Sequence, residues 1–272
     1  PRSGEILYEG KPIHRTRPNE IVRMGISQVP EGRLIFPELT VQENLDMGAF
    51  LRRDRDGIRR DMDYIFALFP ILAQRRRQAG GTLSGGEQQM LAISRAIMAR
   101  PKLLLADEPT TALDVTIQDQ IMKLLNQLKQ ELGMSIILVT HDLGVIAQMC
   151  DRVAVMYAGQ IVEMTDTVTL FSRPRHPYTY GLMGSLPNEE TAGTTLEAIK
   201  GSPPNLAHLP EGCPFSPRCK YACDLCRRER PALTEVEPGH LARCHRLDVT
   251  ASFQGLIEVP DGAGRKEDTP HG

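Results

Sequence analysis

Two short apolar runs, each ending in polar side chains, constrain the fold more than any other feature of this sequence. The first reads Leu103-Leu104-Leu105-Ala106-Asp107-Glu108 and the second Ile136-Ile137-Leu138-Val139-Thr140-His141-Asp142. Unbroken apolar runs of this length suit parallel strands covered on both faces. Between them, Ile117, Ile121, Leu124, Leu128 and Leu132 mark one face of a helix that Gly133 stops. Strand, helix, strand is the repeat of a layered α/β core. In an open parallel sheet, ligands bind at the carboxyl ends of the strands, so Asp107, Glu108 and His141 are expected to face one crevice.

The same reading extends along the chain. Segments 5–10 and 25–30 read as strands around a helix carrying Ile21, Val22 and Met24. Residues 41–80 read as helix-rich, with Ile65, Leu68, Phe69 and Leu72 spaced over two turns. After Gly80-Gly81-Thr82-Leu83-Ser84-Gly85-Gly86 a helix places Met90, Ile93, Ala96 and Ile97 on one stripe, and Pro101 ends it. Runs Arg152–Tyr157 and Gln160–Met164 read as two strands around Gly159. Beyond 172 the chain is punctuated by Pro174, Pro177, Pro187, Pro203, Pro204, Pro210, Pro214 and Pro217, so a boundary is set there.

Composition excludes some functions. A formal net charge of −2 gives no global field for nucleic acid, and no apolar run approaches the roughly 20 residues of a membrane helix. No charged-then-apolar leader opens the chain, so secretion is not expected. The opening at Pro1, directly into Ser3-Gly4-Glu5-Ile6-Leu7-Tyr8, reads as an N-terminal truncation. Five of the six cysteines lie between Cys213 and Cys244, which points to a metal site before disulfides in a reducing compartment; Cys150 reads as a buried, inert thiol.

A hydrophobic strand ending in Asp107 suits Mg²⁺, which prefers carboxylate oxygens and keeps part of its hydration shell. Glu108 directly after it can polarise an attacking water, and His141 on the next strand can reach a phosphoryl group. Singly, Asp107 and His141 read as strand-end caps, and Ser84-Gly85-Gly86 as a capped Gly-Gly turn. The ordered set decides otherwise: Leu-Ser-Gly-Gly-Glu-Gln, a helix, Leu-Leu-Leu-Ala-Asp-Glu-Pro, Ala112-Leu113-Asp114, then Thr140-His141-Asp142.

That set resembles the ABC transporter ATPases, from residue 4 to about 246. The resemblance implies an α/β, P-loop NTPase-like ABC ATPase core, N-terminally truncated, over 1–172 with a helical subdomain at about 41–100. It further implies a peptide-transporter-type C-terminal region with the Cys cluster over 173–254, and the polar, Gly-rich remainder, 255–272, reads by composition as a disordered tail. Each matching residue acquires a role. Ser84, Gly85 and Gly86 form the signature loop, which contacts the γ-phosphate of ATP on the opposite subunit. Asp107 positions Mg²⁺, Glu108 is the general base and Asp114 is the D-loop residue at the dimer seam. His141 is the switch histidine. Glu31, in Val29-Pro30-Glu31, occupies the Q-loop position, with Gln28 as the fallback. The loop Gly-x-x-x-x-Gly-Lys-Ser/Thr is not found, since the one Gly-Lys pair, Gly10-Lys11, precedes Pro12. In the family that loop lies just upstream of residue 4, so this chain alone is expected to bind ATP poorly.

Two branches are resembled. From Pro30-Glu31-Gly32-Arg33 to Ala79-Gly80-Gly81-Thr82-Leu83 the chain is similar to branched-chain amino-acid transporter ATPases. From Ala106 onward, including His176-Pro177-Tyr178-Thr179, it is similar to dipeptide, oligopeptide and nickel transporter ATPases, the switch falling near Leu103–Ala106. Cys213, Cys219, Cys226 and Cys244 match the tail of that second group, some members of which hold a [4Fe–4S] cluster. A zinc site using Cys219, Cys223, Cys226 and a neighbour such as His245 is the rival, and unmetallated thiols are the third reading. The resemblance implies ATP and Mg²⁺ as cofactors and a homo- or heterodimer of ATPase subunits. It also implies permease subunits and, indirectly, a solute-binding protein as partners, at the cytoplasmic face of the cell membrane, with no nucleic acid. The expected function is energising di- or oligopeptide import. A branched-chain amino-acid importer, a non-transport ATPase acting on ribosomes or DNA, and an inactive fragment that binds a partner are the alternatives.

Overall fold

The computed structural model describes residues 4–111, 113–185 and 198–255. The chain divides into two compact units, 1–141 and 142–272, and the compositional change near 172 lies inside the second. The tail expected to be disordered, apart from Gly255, lies outside the described residues, as do Ala112 and Pro187.

In the first unit, segment 5–10 is half of a tight hairpin rather than one strand. Strand β1 (Leu7–Tyr8) turns through Glu9 and Gly10, both at positive φ, into β2 (Lys11–Pro12). Helix α1 (Pro18–Arg23) leads to β3 (Ile26–Val29). Strands β3, β4 (Leu103–Asp107) and β5 (Ser135–Val139) form a parallel sheet in that order, with Val29 opposite Ala106 and Asp107 opposite Val139. Helix α6 (Val115–Glu131) crosses between β4 and β5 and buries Ile121, Leu124, Leu125 and Leu128. Leu132, expected on that face, is exposed instead, because the helix ends one residue earlier and Gly133 turns the chain at φ +63°.

The run 136–139 is not covered on both faces. Ile137 and Val139 are 50% and 54% exposed, while Ile136 and Leu138 on the opposite face are half-buried. Among the described residues β5 is the edge of its sheet, so its apolarity marks a face rather than full enclosure.

The helical segment contains α2 (Val41–Gly48), α3 (Arg55–Leu68), α4 (Pro70–Gln74) and α5 (Gly85–Ile97). Pro70 breaks the apolar spacing into two helices, yet Ile65, Phe69 and Leu72 stay buried together. Asn44 is fully buried on α2; it accepts from the Phe36 amide and donates to the carbonyls of Phe36, Leu39 and Thr40. One side chain therefore satisfies the loop that enters the helix. At Gly48 a Cβ would overlap the Arg95 carbonyl, so α2 and α5 meet backbone to backbone.

The second unit begins with α7 (Leu143–Met149). Strands β6 (Arg152–Tyr157) and β7 (Gln160–Asp166) follow, joined by Ala158 and Gly159 at positive φ. After α8 (Thr167–Ser172), α9 (Pro177–Met183) and α10 (Asp224–Arg228), strands β8 (Thr234–Glu237) and β9 (His240–Ala242) return. They extend the antiparallel sheet to the order β6-β7-β9-β8, and α11 (Leu247–Thr250) follows. Phe215, from the Pro-rich stretch, is buried with Val153, Val155, Tyr157, Leu170 and Phe171, and Cys213 and Cys219 pack on the same core. Cys150 is half-buried against this core rather than fully enclosed, because it follows the last turn of α7.

Inside this unit Glu163 is fully buried. It accepts from the amides of Arg175 and His176 at 2.5 and 3.0 Å, and its Oε1 lies 2.8 Å from His240 Nε2. Burial lowers the His176 pKa to about 3, against a smaller opposing effect of a hydrogen bond to the Arg243 backbone. No helix among the described residues is long and apolar enough to cross a membrane.

Candidate active site

Strands β4 and β5 end side by side, and the chemistry-bearing residues follow from that register. Asp107 is the last residue of β4, opposite Val139. Glu108 leaves the strand at φ +45°, with its amide donating to the Val139 carbonyl at 2.9 Å. A left-handed backbone at a non-glycine residue is a sparsely populated conformation, held here by the strand and by both carboxylate oxygens. Oε1 lies 2.8 Å from His141 Nδ1 and Oε2 accepts from the Thr111 hydroxyl at 2.7 Å. Burial pushes the Glu108 pKa up, but the hydrogen bonds from Thr111 and His141 outweigh it, and the carboxyl stays below its usual range. A carboxylate with these partners is ionised at neutral pH and held in one orientation, the starting condition for a general base. The His141 side chain is 78% exposed, so the pair sits at the rim of the strand ends.

Three motif residues also cap helices. Ser84 is the N-cap of α5 in a reciprocal capping box with Glu87: the Ser84 amide donates to Glu87 Oε2 at 2.8 Å and the Glu87 amide to Ser84 Oγ at 3.4 Å. Asp114 caps α6 through the Ile117 amide at 2.9 Å, and Asp142 caps α7 through Gly144 and Val145. A Cβ on Gly86 would lie 3.0 Å from Ile117 Cγ2, so part of the demand for glycine there is close packing on α6.

Glu31 and Gln28 are exposed. The segment after Glu31 is anchored on α5. Arg33 Nη1 reaches Gln88 Oε1 at 3.4 Å, Arg95 donates to the Leu34 carbonyl at 2.9 Å and stacks over Phe36, and Arg33 and Leu34 both have positive φ. The structure thus brings Glu108 and His141 together directly and ties the loop after Glu31 to the helix of Ser84–Gly86. Thr111 adds the second hold on Glu108 and Arg33 one of the loop contacts. Neither was singled out from the sequence, since a threonine in Thr110-Thr111 and one arginine among many give no periodic signal.

Cys213, Cys219, Cys226 and Cys244 cluster in the second unit. Burial raises the thiol pKa of all four, to about 11 for Cys219 and about 12 for Cys244, and charge on neighbouring thiols of the set adds to the rise at Cys219, Cys226 and Cys244. The Cys213 amide donates to the Cys226 carbonyl at 2.8 Å. Cys223 Sγ lies 3.5 Å from Cys226 Sγ, while His245 Nε2 meets the Glu229 carbonyl at 3.1 Å. Among the described residues, no group of three or more His, Cys, Asp or Glu side chains is placed to hold a metal ion.

Comparison with known proteins adds to this geometry. The ABC transporter family model matches residues 1–111, and the oligopeptide/dipeptide transporter C-terminal region matches residues 162–226. The dipeptide transport ATP-binding protein DppD of Bacillus subtilis is 39% identical over 263 residues, covering 93% of this chain and 78% of DppD. The chain belongs to the ABC transporter ATPase family. The match to DppD runs through Leu103–Ala106, where the resemblance was expected to change branch. The oligopeptide transport ATP-binding protein OppD of Escherichia coli is 48% identical over 177 residues, 65% of this ABC ATPase chain, which spans about half (52%) of OppD. The α/β ABC ATPase fold is matched by the structure of cbiO1 from Clostridium perfringens, part of the cbiONQ ABC transporter complex. That match has a TM-score of 0.55 and 31% identity, over 62% of this chain and 68% of that one. A post-hydrolysis dimer of the ATP-binding cassette MJ0796 with ADP and Pi matches at TM-score 0.55 and 26% identity, over 61% and 74% of the two chains.

Proposed function

We propose that this chain belongs to the ATP-hydrolysing subunit of an ABC importer that energises uptake of di- or oligopeptides. The observation that carries the catalytic half is the Glu108 carboxylate, oriented by Thr111 and His141 at the end of a strand whose last residue is Asp107. Asp107 would hold Mg²⁺, which supplies charge neutralisation on the phosphates. Glu108 would take the proton of the attacking water, and His141 would fix Glu108 and meet the transferred phosphoryl group. Ser84, Gly85 and Gly86 would act on the nucleotide of a second ATPase subunit, with Asp114 at the seam and Glu31, or Gln28, in the loop that senses it. The peptide half rests on the matched C-terminal region and on DppD and OppD. Permease subunits, a homo- or heterodimer of ATPase subunits, an indirect solute-binding partner and a place on the cytoplasmic face of the membrane go with that reading.

One buried and three half-buried thiols, three of them penalised by charge on neighbouring thiols, are a donor set suited to an iron–sulfur cluster, whose positive irons would relieve that penalty. Cys213, Cys219, Cys226 and Cys244 would hold a [4Fe–4S] cluster, and the cluster would tie the Pro-rich segment to the core. Zinc is the alternative metal. The test joins the chain to a phosphate-binding loop and to its permeases in proteoliposomes. ATP-dependent dipeptide uptake is expected; uptake of branched-chain amino acids instead, or no hydrolysis at all, overturns the reading. Iron and sulfide in the anaerobically purified protein are expected, and one zinc per chain without iron replaces the cluster with a zinc site.

A further inference from the structure

The fifth thiol of the C-terminal region has no part in the four-cysteine set, yet it lies beside a member of it. Cys223 is the N-cap of α10 and Cys226 is the third residue of that helix, so the i, i+3 spacing sets both side chains on one face. Their sulfurs are 3.5 Å apart, close enough that small side-chain rotations reach the roughly 2.05 Å of a disulfide. Their environments differ: Cys226 is 6% exposed, whereas Cys223 is open to solvent in part and flanked by exposed Asp224. The Cys226 backbone is held by the Cys213 amide, so a change at the Cys226 sulfur need not displace the chain.

We propose that Cys223 and Cys226 are a reversible redox-modification site that closes to an intramolecular disulfide. The accessible Cys223 thiolate attacks one sulfur of a small-molecule disulfide, forming a mixed disulfide and releasing one thiol. Cys226 then attacks the Cys223 sulfur, expels the second thiol and completes the Cys223–Cys226 bond. Two protein thiols lose two electrons and two protons, and the small disulfide becomes two thiols. The consequence for metal rests on the cluster reading above. A Cys226 sulfur bonded to Cys223 is no longer a thiolate ligand, so oxidation removes one of the four cluster donors. Cys223 is thereby the residue through which an oxidant unloads the site.

The test uses the full chain in two states. Metal-free protein, reduced and then treated with oxidised glutathione, is cut with trypsin. Cleavage after Lys220 and Arg227 leaves both cysteines in one peptide. That peptide is expected to be lighter by two hydrogens and to regain them with a reductant; a stable glutathione adduct on Cys223, with no internal bond, overturns the proposal. Anaerobically iron-loaded protein is then given the same reagent. Loss of iron is expected to be roughly tenfold slower in Cys223→Ser than in the unchanged chain. Equal rates overturn the link to the metal while leaving the disulfide standing. A chain that forms the disulfide and takes up no iron overturns the cluster reading alone.

Discussion

At the scale of single residues, one carboxylate carries the case for hydrolysis. In a protein joining this chain to the phosphate-binding loop, Glu108→Gln keeps an acceptor for the Thr111 hydroxyl but no longer takes a proton. Steady-state phosphate release is expected to fall by about 10²–10⁴-fold while nucleotide binding, read by equilibrium dialysis, is unchanged. An undiminished rate would reassign the base. The placement of Asp107, Glu108 and His141 at neighbouring strand ends was legible in the sequence, because strand ends with polar residues converge in a parallel sheet whatever the loops do. Thr111 was not, because its role depends on the left-handed turn at Glu108, which no local pattern announces. Ser84 shows another side: its N-cap reading was available from the sequence and the capping contacts are present, whereas the cap that Asp114 makes was not read.

At the scale of elements, packing of α2 on α5 hangs on one position. Gly48→Ala would press a methyl group into the Arg95 carbonyl and the Met98 side chain, backbone on one side with little room to yield. Overpacking of this kind costs about 1–3 kcal/mol, and a matching drop in the urea midpoint of the first unit is expected. An unchanged midpoint would show that the two helices separate freely. A glycine at a helix end reads from sequence as a stop signal, so its crossing role was invisible there. Strands β3 to β7 were legible, and so were the stripe on α5 and, apart from Leu132, the stripe on α6. The solvent-facing side of β5 was not, because Ile136-Ile137-Leu138-Val139 has no polar alternation to distinguish one covered face from two.

At the scale of the whole molecule, the second unit owes its order to pairing across distant sequence. β9 joins β7 beside Glu163 and His240, a return no local composition encodes, so the Pro-rich stretch read as a C-terminal region beginning near 172. His176 in this unit makes stability depend on acid. Its folded pKa is about 3 against an ordinary 6.5, so below 6.5 the unfolded chain takes up the proton first. Stability is fully present above 6.5 and declines toward pH 3, by about 2–3 kcal/mol at pH 4.5. Hydrogen exchange of the β6–β9 amides is expected to quicken between pH 7 and 4.5, and less so in His176→Asn, after correction for the intrinsic pH dependence of exchange. An identical pH response in both would remove His176 as the cause. Among the described residues no strand pairs with the outer margin of β5, and this bears on how the chain behaves in the tube. The margin offers a row of backbone donors and acceptors beside two half-exposed apolar side chains, the template on which another strand adds. Preparations of the isolated chain should self-associate through that margin as concentration rises. Val139→Lys, on the solvent side, should shift the onset seen by light scattering to higher concentration without altering the parallel pairing of β4 and β5.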